Sequence, residues 1–117
     1  MNENLKQALE FSNYQITLSN QRKVLREKVE SKLTFGSSGG IFKIDRSLIT
    51  FVQMLIDKER TENIPILDIN ENPILIKDLT AFRDEILDRY FSVTLEYYTE
   101  YQEIKKSRSV EKLISYE

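Results

Sequence analysis

The chain has 117 residues, of which 40% are hydrophobic and 31% charged, and its formal net charge is −2. This composition predicts one globular domain over residues 1–117, and it provides no broad positive field to attract nucleic acid or an anionic membrane. Cysteine and histidine are absent, which excludes disulfides, thiolate nucleophiles, cysteine-ligated zinc and the commonest general base.

The first predicted element is a helix over residues 4–30. One stripe of apolar residues at spacings of three and four should face a core; it comprises Ala8, Phe11, Tyr14, Leu18, Leu25 and Val29. A second apolar row, made of Leu5, Leu9 and Ile16, lies on nearly the opposite side. A helix packed on a single core does not need that second row.

Residues 32–45 are predicted to form a β-hairpin. Leu33 and Phe35 alternate with polar residues before the glycines, and Phe42 and Ile44 do so after them. We place the loop at residues 36–40, because glycine reaches the positive φ angles that tight hairpin loops require.

The third element is predicted to be a helix that begins after Asp45, a residue suited to an N-cap; its β-branched residues leave a strand as the alternative. Its apolar residues, between positions 48 and 56, point in nearly every direction on a helical wheel. A helix that is apolar all round is buried. We therefore expect this helix at the centre of the core, and we expect Met54→Asp to unfold the protein.

Residues 64–77 are predicted to form a second hairpin, in which two runs rich in Ile and Leu flank a turn at residues 70–73. A long helix should follow, with Asp78 as its N-cap and its end near Lys106. Its apolar stripe is the strongest periodic pattern in the chain and comprises Leu79, Phe82, Ile86, Tyr90, Val93, Tyr97, Tyr101 and Ile104. Residues 107–117 are predicted to be a short tail or a terminal helix.

These elements predict an α+β fold of order α-ββ-α-ββ-α, with two long antiparallel helices and a central buried helix. The last helix carries a second apolar row, made of Leu87, Phe91 and Tyr98. We also expect the basic run of the first helix, residues 22–32, to face the acidic start of the last one.

Three motifs have a plain structural interpretation. The GSSGG run at residues 36–40 precedes a strand, whereas a phosphate loop precedes a helix. The DINENP run begins at Asp68 like a calcium loop, but Pro73 and Leu79 occupy the positions that need glycine and a bidentate carboxylate. Glu96, Glu100 and Glu103 share one helical face, which is typical of a solvated surface.

Several runs resemble small proteins encoded by T4-like phages of marine cyanobacteria. They are NLKQALEFSNYQ, GGIFKIDRSLITFVQMLID and YYTEYQEIKKSRSVEKLI, which together cover nearly the whole chain. The resemblance implies a virion, assembly or host-takeover role in a bacterial cytoplasm. It implies no activity and no site residues.

We therefore expect a non-enzymatic protein-interaction or assembly protein, with a small regulator of a host or phage enzyme as the alternative. No catalytic, cofactor or metal site is predicted, and neither nucleic acid nor a membrane is an expected partner. No apolar run approaches the ~20 residues that span a bilayer, and the start lacks a signal-peptide pattern. The location expected is the bacterial cytoplasm or the virion.

The surplus apolar rows predict a homo-oligomer, most simply a two-fold dimer. The alternative is that the tail, with Val110, Leu113 and Ile114, folds back and covers one of the rows. The candidate interface consists of Leu5, Leu9, Ile16, Leu87, Phe91 and Tyr98.

Overall fold

A computed structural model describes residues 3–106 of the chain. The elements in chain order are α1 Glu3–Lys32, β1 Thr34–Ser37, β2 Gly40–Lys43, α2 Arg46–Asp57, β3 Glu62–Leu67, β4 Pro73–Asp78 and α3 Leu79–Lys106. This confirms the predicted α+β class and the order α-ββ-α-ββ-α. The expectation for residues 107–117 lies outside the described residues.

The chain divides into two compact units, to each of which both long helices contribute. The helical unit contains the described residues up to 29 and from 95 onward, and the mixed unit contains residues 30–94.

In the helical unit, α1 and α3 pack antiparallel, as predicted. Arg22 of α1 contacts Tyr101 of α3, whereas Lys28, further along α1, contacts Glu96, which lies earlier in α3. The buried centre is Leu25 with Ile104, against which four half-buried residues pack: Tyr14, Leu18, Tyr97 and Tyr101. The predicted α1 stripe is therefore confirmed from Tyr14 onward.

The first third of α1 departs from that stripe. Phe11 is 65% exposed and Ala8 is also exposed, although both were expected to face a core. Periodicity identifies the face of a helix but not the length over which a neighbouring helix covers it. The packing of α1 on α3 at Leu25 and Ile104 draws on residues of α1 from Tyr14 onward.

The mixed unit is built around three aromatic rings. Phe42 lies edge-on to Phe82 at 5.1 Å between ring centroids, and Phe35 lies 6.1 Å from each of them. Each such tilted pair stabilises the fold by roughly 0.5–1.5 kcal/mol beyond the free energy gained by burying the rings. The other buried apolar side chains are Leu33, Ile44, Val52, Ile66, Ile76, Leu79 and Ile86.

The first hairpin is tighter than predicted. Its loop consists only of Ser38 and Gly39, which have φ angles of 53° and 87°, because a two-residue turn with both φ positive matches the twist of the strands. Gly36 and Gly40 were assigned to the loop but lie in β1 and β2. Gly40 serves close packing instead: a Cβ there would stand 2.5 Å from Cγ1 of Ile74.

The helix α2 begins as predicted, because the Asp45 side chain accepts a 2.7 Å hydrogen bond from the Leu48 N–H. The prediction that α2 is buried all round is wrong. Val52 is fully buried, but Phe51 is 46% exposed and Met54 is 62% exposed. Only one face of α2 is covered by the rest of the unit. Apolar residues on all sides of this helix therefore do not mean that it is buried on all sides.

The second hairpin pairs β3 with β4 in an antiparallel register, with Ile64 opposite Ile76 and Ile66 opposite Ile74. Pro73 begins β4 instead of closing the turn. At the start of α3, the Asp78 side chain accepts a 3.1 Å hydrogen bond from the Ala81 N–H, which confirms the predicted cap.

Candidate interaction surfaces

The second hairpin has an exposed apolar face. Pro65 lies opposite Leu75, and Leu67 lies opposite Pro73, so these four side chains project from the same side of the two strands. Leu67 is 60% exposed, Leu75 is 52% exposed, and both prolines are exposed. We call these four residues the hairpin face.

The opposite side of the same hairpin packs into the mixed unit. Ile66 and Ile76 are buried there, and Ile64 and Ile74 are half-buried. The hairpin is therefore apolar on both sides, although an antiparallel sheet with one wet face ordinarily alternates apolar with polar residues. In the sequence, the unbroken apolar runs IPIL and PILI show that these strands do not alternate with polar residues. Counting the polar residues of each strand would have identified the exposed apolar face.

The two hairpins of the mixed unit are joined at Ile41. The Ile41 carbonyl accepts a 2.9 Å hydrogen bond from the Ile69 N–H, and the Ile41 N–H donates to Oδ2 of Asp68 at 3.3 Å. Ile41 and Ile69 are 45% and 51% exposed. This junction therefore brings two further apolar side chains to the surface of the mixed unit.

All six residues of the predicted interface are exposed in the chain. In the helical unit, Leu5, Leu9, Ile16 and Tyr98 are between 49% and 62% exposed. In the mixed unit, Leu87 is 45% exposed and Phe91 is 68% exposed. Leu95, at 56%, was missed, although it follows Phe91 at the helical spacing of four.

The calcium-like run forms a loop held by its own carboxylate. Oδ1 of Asp68 accepts hydrogen bonds from the N–H groups of Asn70 and Asn72, at 2.9 and 3.0 Å. Burial favours a higher pKa for Asp68, but the hydrogen bonds from Asn72, Ile41 and Asn70 outweigh it, and the pKa lies below its ordinary value. Across residues 3–106, no three carboxylates come together as metal ligands would.

The acidic face of α3 keeps Glu96 and Glu103 exposed, as predicted, but part of it also contacts α1. Nζ of Lys28 lies 2.8 Å from Oε1 of Glu100 and 3.5 Å from Oε1 of Glu96, so both carboxylates face α1. The hydrogen bond that Lys28 donates to Glu100 raises the pKa of Lys28, partial burial opposes that effect, and the charges of both glutamates add to it. At Lys28 the basic run of α1 thus meets the second half of α3 and not its acidic start, where the prediction had placed it.

None of the described helices is both long enough and apolar enough to cross a membrane.

Comparison of the chain with protein-family models, with curated proteins and with solved structures gave no match in any of the three.

Proposed function

We propose that this chain is a non-enzymatic interaction protein that assembles with copies of itself, and that the hairpin face makes the contact. The observation that carries the proposal is the second hairpin, which is apolar on both sides while one side is exposed. Removing apolar surface from water contributes roughly 25 cal/mol for each Å². A partner that covers the hairpin face gains this free energy.

A second copy suits this face because the contact is self-complementary. The four residues carry no charge, so two hairpin faces meet without burying like charges. Lys77 follows the face on the same side of β4, and Glu71 lies in the loop at the other end of the hairpin. A two-fold stack of two hairpins places each Lys77 near the partner's Glu71, and sheets commonly pack in this face-to-face manner.

The size of the contact requires more than four residues. A standard interface buries about 800 Å² on each partner, which four half-exposed side chains do not supply. Ile69 lies two residues after Leu67, and its N–H is bonded to the carbonyl of Ile41. We include both isoleucines in the interface for this reason. The resemblance to cyanophage proteins favours the same kind of role, in a virion or during assembly.

Light scattering after size exclusion tests the proposal. We expect wild-type protein at micromolar concentration to have a mass of at least twice the 13.8 kDa chain. The double variant Leu67→Lys/Leu75→Lys should return to the mass of one chain, because it places two charges in the apolar contact. The matched control Ser31→Lys/Thr50→Lys adds the same charge at exposed polar positions of the mixed unit outside the proposed contact and should keep the wild-type mass.

A second pair of substitutions separates the two candidate surfaces. Leu9→Glu/Phe91→Glu alters the predicted helical rows and leaves the hairpin face intact. If this pair alone reduces the mass to one chain, the rows form the interface and the hairpin assignment is wrong. A wild-type protein that remains one chain at micromolar concentration contradicts self-assembly altogether.

A further inference from the structure

The helical unit contains an open cleft of about 370 Å³ whose charge is positive. Its lining residues come from both helices: Gln15, Leu18, Ser19, Arg22, Arg26, Tyr97 and Tyr101. None of them is acidic. This positive cleft therefore stands out in a chain whose formal net charge is −2.

The two arginines of this cleft differ from the nearby Lys28. Lys28 is held by Glu96 and Glu100, whereas within residues 3–106 neither Arg22 nor Arg26 has a carboxylate partner. The arginines lie four positions apart on α1, where like charges are neighbours and repel one another by roughly 0.2–0.5 kcal/mol. An anion between them removes that repulsion.

One of the arginines is already positioned. The guanidinium carbon of Arg22 lies 5.6 Å from the centroid of the Tyr101 ring, which is the geometry of a cation–π contact. A guanidinium held in this way loses less side-chain entropy when it binds a ligand. The same cleft is lined by Ser19 and two tyrosines, which carry hydroxyl groups, and by Gln15, which carries an amide.

We propose that this cleft binds a phosphate monoester. Guanidinium groups bind phosphate through paired hydrogen bonds, and two of them with nearby hydroxyl and amide donors match the several oxygens of a phosphate group better than the two of a carboxylate. The cleft has space for the phosphate and a small organic substituent. This inference is independent of the self-assembly proposed above, because the cleft lies wholly in the helical unit.

Titration of the full chain with phenyl phosphate, followed by the NMR shifts of the arginine Nε–Hε groups, tests this assignment. We expect saturable shifts with a dissociation constant at or below about 1 mM, equivalent to −4.1 kcal/mol. Arg22→Gln/Arg26→Gln should abolish binding, and Arg26→Lys should weaken it because lysine lacks the planar fork. The control Lys6→Gln/Lys23→Gln removes the same charge from exposed positions of α1 outside the cleft and should bind normally.

Vesicles of phosphatidylcholine with and without phosphatidic acid form the second arm, since a lipid head group carries the same chemistry. Vesicle binding that needs phosphatidic acid and both arginines identifies a lipid source, and binding of phenyl phosphate without vesicle binding identifies a soluble one. Absence of saturation with both probes overturns the proposal. Equal loss of binding in Arg22→Gln/Arg26→Gln and in the control Lys6→Gln/Lys23→Gln also overturns the proposal, because it shows that binding responds to net charge alone.

Discussion

The Ile41 N–H donates a hydrogen bond to the side chain of Asp68, a residue 27 positions later in the chain. Asp68 also accepts from the backbone of its own loop, and the next residue, Ile69, donates its N–H to the Ile41 carbonyl. One carboxylate thus shapes the second hairpin loop and joins it to the first hairpin. The position of the hairpin face within the mixed unit depends on this junction.

The Asp68 junction predicts a loss of stability in acid. Because the folded-state pKa of Asp68 lies below 3.8, its contribution is complete at pH values above 3.8 and is lost as the pH falls through the lowered pKa. Asp68→Asn should lower the melting temperature at pH 7 and flatten the acid limb of the stability curve. Thermal melts from pH 2 to 7 measure both effects. A variant with the same melting temperature and acid limb as wild type would show that the junction contributes nothing.

Gly40 is expected to tolerate no side chain. A Cβ would lie 2.5 Å from Cγ1 and 2.9 Å from Cδ1 of Ile74, so Gly40→Ala should cost about 1–3 kcal/mol of unfolding free energy through overpacking. Urea unfolding measures this cost. At Gly36 the nearest neighbour of an added Cβ is a carbonyl oxygen at an ordinary 3.7 Å, so Gly36→Ala is the matched control and should cost less.

A double variant checks the cause of that cost. If the clash with Ile74 is responsible, Gly40→Ala/Ile74→Ala should cost less than the sum of the two single variants. Strict additivity of the two costs would exclude the contact as the cause.

The one-sided burial of α2 reverses the expectation for Met54. Because Met54 is 62% exposed, Met54→Asp should change the unfolding free energy by no more than about 0.5 kcal/mol. Val52, at 0% exposure, is the contrasting position, and Val52→Asp should prevent folding because it buries an unpaired charge. Circular dichroism melts compare the two. A Met54→Asp variant that fails to fold would restore the central position of α2.

The helical elements were predictable because their signals are local. Asp45 and Asp78 were identified as N-caps, and the α3 stripe from Leu79 to Ile104 was assigned correctly along its whole length. Caps and periodicity depend on residues three or four positions apart, which the sequence shows directly.

Features that depend on distant residues were predicted less well. Met54 was placed in the core because a helical wheel shows which directions are apolar and not which of them another element covers. Gly40 was assigned to a loop because its real constraint, the side chain of Ile74, lies 34 positions away in the sequence. The hairpin face was missed because its apolar runs were interpreted as strands without asking what covers each side.

The most direct test of self-assembly through the hairpin face is a distance between spin labels in two copies. The chain has no cysteine, so Lys77→Cys introduces one labelling site on the same side of β4 as Leu75 without altering the four residues of the face. In the two-fold stack the two copies of residue 77 lie at opposite ends of the paired hairpins. At roughly 3.3 Å per residue along a strand and about 10 Å between packed sheets, double electron–electron resonance should show an intermolecular distance of roughly 20–25 Å before the length of the labels is added. That distance should vanish when Leu67→Lys/Leu75→Lys is added. Oligomeric protein that shows no intermolecular coupling from this site would contradict the account.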